Sequence, residues 1–120
     1  MSNPAKPHLF EWEDAGGVAV IRFRTPVLRD DRLILHMFDQ IDQIISTGPN
    51  KVIMNFTGLQ GFASYAIGKL ISLNTKLAAA GGKLILCCLT PIVDEIIDIM
   101  ALRKKFTIRE DEQKALEAFA

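Results

Sequence analysis

Among the side chains that could do chemistry, one serine stands where its surroundings matter. In the stretch V-I-M-N-F-T-G-L-Q-G-F-A-S-Y-A-I-G, residues 52–68, Val52, Ile53 and Met54, with Phe56 just beyond, predict a strand covered on both faces. Gly58 and Gly61 mark the turn that follows, where positive φ or a close backbone approach costs glycine least. Ser64 then opens a helical pattern in which Ile67, Leu70, Ile71 and Leu77 share one face. A hydroxyl at that point lies beside unpaired backbone N–H groups at the positive end of the helix dipole. It can cap the helix, touch a partner or carry a phosphate.

Several chemistries fail on spacing. A hydrolase elbow needs glycine two residues before and two after its serine, and Phe62 and Ala66 hold those places. Its histidine would follow the serine, whereas His8 and His36 both precede it. A phosphate loop needs a lysine just before its Ser/Thr, which is absent. A receiver-type acidic cluster needs an aspartate at the end of the central strand, where Asn55 and Phe56 stand. Asp94, Glu95, Asp98, Glu110, Asp111 and Glu112 fall on a helix exterior or at a helix start and read as solubility and dipole groups. Cys87 and Cys88, neighbours inside an apolar run, should point to opposite faces of a strand, as two small buried hydrophobes rather than a disulfide or metal site. His36 falls on the polar side of its helix and reads as a solvated surface residue. No catalytic constellation survives, so the expectation is a non-enzyme with no cofactor and no metal.

The chain as a whole sets further bounds. Its 120 residues suit one domain. The 14 basic residues balance 14 acidic ones, giving no global attraction to nucleic acid or acidic lipid. No apolar run reaches the roughly 18 residues of a membrane span. The start, M-S-N-P-A-K-P, is not a signal peptide and reads as a flexible tail over residues 1–8, with the domain over 9–120. Unpaired cysteines fit a reducing cytoplasm.

The elements that must position Ser64 follow in order. Leu9 to Trp12 and Val18 to Phe23, joined at Ala15-Gly16-Gly17, predict an antiparallel hairpin. Pro26 stops a central strand. Asp30 or Asp31 caps a helix whose apolar face holds Leu33 or Ile34, Met37 or Phe38, Ile41, Ile44 and Ile45, and Gly48-Pro49 ends it. Gly81-Gly82 ends the helix that Ser64 begins, and Lys83 to Leu89 predicts another buried strand. Thr90-Pro91 combines a hydroxyl cap with a first-turn proline, ahead of a helix burying Ile92, Val93, Ile96, Ile97 and Met100. Arg103, Lys104 and Lys105 suit its negative end. A short strand at 106–108 and a helix opened by Asp111, with Ala115, Leu116 and Phe119 inward, complete the chain. The order β-β-α-β-α-β-α-β-α implies an α/β fold with a mixed, mostly parallel central sheet, about four helices and right-handed crossovers.

The stretch V-I-M-N-F-T-G-L-Q-G-F-A-S-Y-A-I-G-K-L, then A-A-A-G-G-K-L-I-L-C-C-L-T-P-I-V and the closing D-E-Q-K-A-L, together resemble the STAS domain, the fold of bacterial anti-sigma factor antagonists, over about residues 9–119. The resemblance implies a transcription regulator that binds a protein combining anti-sigma factor and serine kinase, and that phosphorylation ends the binding. The matching phosphorylated position is Ser64. It also implies a partner-binding face over the 57–68 turn and helix, at Thr57, Gly58, Gly61, Phe62, Ser64, Tyr65, Ile67 and Gly68, with the 25–31 loop alongside. Family members carry Asp-Ser-Ser/Thr-Gly at this turn; here Ala63, Tyr65 and Ala66 flank the serine instead. A rival expectation is a STAS-like scaffold or ligand-binding module in an oligomeric signalling assembly, self-associating and without phosphoregulation.

Overall fold

A computed structural model describes residues 9–120; the tail expected over 1–8 lies outside the described residues. β1 (Phe10–Ala15) and β2 (Val18–Phe23) pair antiparallel, Phe10 opposite Phe23. Gly16 and Gly17 make the two-residue turn with φ of 64° and 92°, values a side chain would strain against. After a two-residue strand β3 (Val27–Leu28) comes helix α1 (Asp31–Ser46). Asp30 is its cap, accepting from the amides of Arg32 and Leu33 at 2.9 and 3.2 Å. Then follow β4 (Lys51–Asn55), a two-residue strand β5 (Gly61–Phe62), α2 (Ser64–Ala79), β6 (Lys83–Cys87), α3 (Pro91–Ile99), β7 (Thr107–Arg109) and α4 (Glu112–Phe119).

Five strands form the main sheet in the order β1-β2-β4-β6-β7, parallel except for the β1–β2 edge. β3 and β5 pair parallel in a separate small sheet. The expected hairpin, mixed sheet and four helices are all present, and β3 and β5 are additions. Two residues are too few to leave a hydrophobic period in the sequence.

The unbroken apolar runs of the central strands follow from cover on both faces. On one face Ala19, Ile21, Val52, Met54, Leu84 and Leu86 share a core with Ile34, Met37 and Ile41 of α1, Leu70, Leu73 and Leu77 of α2, and Val93 and Ile97 of α3. On the other, Val18, Val20, Ile53, Ile85 and Cys87 meet Ala115, with Leu116 and Phe119 packed against them from α4. Each fully buried aliphatic side chain stabilises by roughly 1.5–3 kcal/mol.

α2 and β6 are joined as closely as backbones allow. Gly81, at φ +77°, donates to Ala78 O at 3.1 Å, and Gly82 donates to Leu77 O at 2.8 Å, the paired bonds of a Schellman end. A Cβ on Gly82 would overlap the Asn50 carbonyl.

Three expectations are corrected. In α3 only Val93 and Ile97 are buried; Ile92 and Met100 are 37% and 44% exposed. The helix is nine residues long and packs beside β5 rather than across the sheet, so it has room to bury one narrow stripe. Thr90 occupies the N-cap position, but its hydroxyl donates to Leu59 O at 2.6 Å and caps nothing. The two cysteines do not diverge: β6 stops at Cys87, Cys88 turns to φ +58°, and the sulfurs lie 3.7 Å apart.

Candidate functional site

β4 delivers the chain to the upper edge of the sheet, and a run of hydrogen bonds then carries it to Ser64. Phe56 is fully buried, donates its amide to Cys87 O at 3.0 Å and sets its ring 5.0 Å from that of Phe23, tilted by 54°. Thr57 is fixed by the side chain of Asn55, whose Oδ1 accepts from Thr57 N at 2.9 Å and from its hydroxyl at 2.6 Å. Gly58 takes φ +82°, Leu59 donates back to Phe56 O, and its side chain drops into the core. Leu59 O is the oxygen that Thr90 holds.

The 25–31 segment does run alongside. Pro26 O accepts from Gln60 N and Gly61 N at 2.7 and 3.0 Å, Val27 pairs with Gly61 and Leu28 with Phe62, and Ala63 donates to Leu28 O at 2.9 Å. A Cβ on Gly61 would come within 3.2 Å of Val27 Cγ1 and 3.4 Å of the Arg29 guanidinium. A side chain there would press on the Val27 and Arg29 side chains, which must give by a few tenths of an ångström; the φ of Gly61 is not the constraint.

α2 starts at Ser64 with Ala63 at the N-cap position, and no side chain caps it. Ala66 and Ile67 donate to Ala63 O, leaving the Ser64 and Tyr65 amides at the helix tip. The capping role for Ser64 is therefore overturned: a residue one place inside the helix has its side chain beyond reach of the amides a cap serves. Ser64 is exposed and lines an open hollow.

The remaining residues of the expected face divide by exposure. Thr57, Gly58, Ser64, Tyr65 and Gly68 are exposed, Phe62 is half-buried, and Gly61 is buried. Ile67 is 4% exposed and belongs to the core, so it positions the helix and offers nothing to a partner. Two open hollows flank the turn. One of about 510 Å³ is lined by Ser64, Tyr65, Gly68, Lys69 and Ser72. The other, about 260 Å³, is lined by Phe23, Arg24, Thr25, Pro26, Thr57 and Gly58. Lys69 Nζ stands 5.6 Å from the centre of the Tyr65 ring, a cation–π contact worth about 0.5–1 kcal/mol at an exposed site.

Two features escape a reading by motif. From Gln43 to Val93 the chain has no carboxylate side chain, so the tip of α2 meets no negative charge from its own segment. A plain scan of charge along the sequence reveals it. The second is Glu112, expected as a solubility group. It takes a two-pronged bond from Arg22 at 2.7 and 2.8 Å and accepts from Asn55 Nδ2 at 2.6 Å. The Arg22 guanidinium, then the Asn55 amide, hold its carboxyl below the usual carboxylate range against the opposing pull of burial. α4 is thus joined through Glu112 and Asn55 to Thr57 at the start of the turn. Residues 22, 55 and 112 are too far apart in sequence for any spacing rule to link them.

The family model described as STAS domain matches residues 9–115. No curated protein matches the sequence. Among solved structures, the chain is similar to a STAS domain protein from Planctomyces limnophilus, with a TM-score of 0.81 at 20% identity over 92% of this chain and 97% of that one. It is similar to the anti-sigma factor antagonist SpoIIAA in its unphosphorylated form, with a TM-score of 0.78 at 23% identity, covering 92% and 95% of the two chains. To the phosphorylated form of the Bacillus cell-fate determinant SpoIIAA the TM-score is 0.71 at 20% identity, covering 92% and 99%. At such identities the likeness is one of fold.

Proposed function

The chain belongs to the STAS family, and on that premise we propose that it is an anti-sigma factor antagonist: a binding module, not a catalyst. It holds an anti-sigma factor that is also a serine kinase, and it lets go when Ser64 is phosphorylated. The observation that carries the reading is the exposed Ser64 at the uncapped tip of α2, lining an open hollow and in a segment without carboxylates.

The energetics of such a switch depend on where the phosphate sits. It adds about −1.5 to −2 charge. On the free domain it faces open amides at a helix N-terminus, which stabilise it by about 0.3–1 kcal/mol. Under a bound partner it must shed water or displace the partner. A penalty of about 3 kcal/mol there weakens binding roughly a hundredfold. Free protein tolerates the modification and the complex does not.

Incubation with the cognate anti-sigma kinase and ATP, followed by mass mapping, is expected to place one phosphate on Ser64, with Ser64→Ala unmodified and still binding. Ser64→Glu is expected to bind more weakly. Absence of phosphate together with full binding by Ser64→Glu would remove the switch. That outcome would favour the second reading, a STAS scaffold in an oligomeric assembly, for which Ala63 in place of the family aspartate speaks.

A further inference from the structure

Cys87 and Cys88 are the chain's two cysteines, and both are free. The left-handed turn at Cys88 sets their sulfurs 3.7 Å apart. Cys87 is buried, and that burial pushes its thiol up. Cys88 is half-buried, packed against the cluster that holds Cys87, and is the more exposed of the two.

Three kinds of chemistry could use such a pair, and distance separates them. A direct S–S bond fits poorly, because adjacent Cα atoms stand about 3.8 Å apart, short of the roughly 4.4–6.8 Å that disulfides span. Zinc needs four ligands, and no group of three or more His, Cys, Asp or Glu among the described residues could hold a metal ion. A soft centre bonded to sulfur at about 2.3 Å spaces two sulfurs about 3.4–3.8 Å apart, for bond angles from about 95° to tetrahedral. That spacing is already present. If the centre is three-coordinate and brings its own third substituent, it asks nothing more of the protein.

We propose that Cys87 and Cys88 form a dithiol site for a monosubstituted trivalent arsenical, R–As(OH)2, entered at Cys88 and closed at Cys87. Cys88 Sγ displaces one hydroxide from arsenic, and its thiol proton leaves with that hydroxide as water. Cys87 Sγ displaces the second hydroxide in the same way. Two As–S bonds replace two As–O bonds, two waters depart, and arsenic stays trivalent throughout. The preference rests on softness: thiolate sulfur selects soft centres over the hard cations that carboxylates hold. The site adjoins the Ser64 turn, since Cys87 O receives the Phe56 amide.

Phenylarsine oxide, added to the folded full chain in a thiol-free phosphine reductant, tests this by intact mass. One phenylarsenic group per chain is expected, with both thiols lost to maleimide. The adduct should survive excess glutathione and yield to dithiothreitol. Closing the second bond within one chain should make retention against glutathione at least about 100-fold better than in Cys88→Ala or Cys87→Ala. Cys88→Ala, at the more exposed position, carries the comparison if Cys87→Ala does not fold. Release of the wild-type adduct at the glutathione concentration that strips Cys88→Ala would overturn the proposal. So would labelling that occurs only after unfolding in urea.

Discussion

α2 is the one long helix whose start has the backbone of a cap but no cap side chain, and Ala63→Asp tests that description directly. Ala63 has φ −73° and ψ 153°, extended values that an N-cap residue adopts, and α1 and α4 begin from aspartates that do cap. A carboxylate there should accept from an amide of the first turn and face the positive helix end. The cap bond stabilises by about 1 kcal/mol, and the dipole adds about 0.3–1 kcal/mol. Ala63 is half-buried against the core, so some desolvation offsets this and the net gain should lie near the low end. For 120 residues the unfolding entropy is roughly 250 cal/mol/K, so 1 kcal/mol moves Tm by about 4 °C. Calorimetry at neutral pH should show that rise. Because the cap bond lowers the introduced carboxyl's folded pKa, the gain is present above its unfolded value of about 3.9 and fades as pH falls below it. Ala63→Asn should show most of the gain without the pH dependence. An unchanged or lower Tm in both variants, with native circular dichroism, would refute the open-tip description.

Other substitutions probe separate parts of the reasoning. Glu112→Gln should cost about 1–3 kcal/mol in urea unfolding at neutral pH. Since the Glu112 pKa is lowered in the fold, that difference is fully present above the unfolded value of about 4.3 and is lost as pH falls through the lowered folded value. Gly68→Ala meets nothing within 4 Å and should stabilise α2 by about 0.5–1 kcal/mol, while its methyl group lowers affinity for a partner seated on that face. Stability up with binding unchanged would move the partner elsewhere. Gly82→Ala must displace the Asn50 carbonyl and should cost more than about 2 kcal/mol, seen as a fall in urea midpoint, whereas Gly48→Ala, which meets nothing, should not.

What could be read from the sequence was whatever repeats at a fixed period or sits at a helix end. The central strands showed because both faces are covered, so Val52 to Met54 and Leu84 to Leu86 are apolar without alternation. Asp30 and Asp111 announced their helices because capping is local chemistry. Ser64 was correctly set at the start of α2, but whether a hydroxyl is a cap or sits one place inside turns on a single residue, finer than periodicity resolves. Thr90 was misread because its true partner, Leu59, is distant in sequence. The link from Arg22 through Glu112 and Asn55 to Thr57 was invisible for the same reason: it exists once three separate strand and helix ends meet at one sheet edge.

β1 closes the sheet on its outer side, and among the described residues it has no second neighbour. Its run of Glu11, Trp12, Glu13 and Asp14 is solvent-exposed, with Trp12 at 43%. An incoming strand would meet a rim of charged, ion-paired side chains, Glu11 with Arg24 and Glu13 with Arg22, the kind of edge that disfavours further strand pairing. The single tryptophan lies on this rim and not in the interior. Its emission in an unfolding experiment will track the fraying of the border hairpin, and melting of the centre must be followed by another probe.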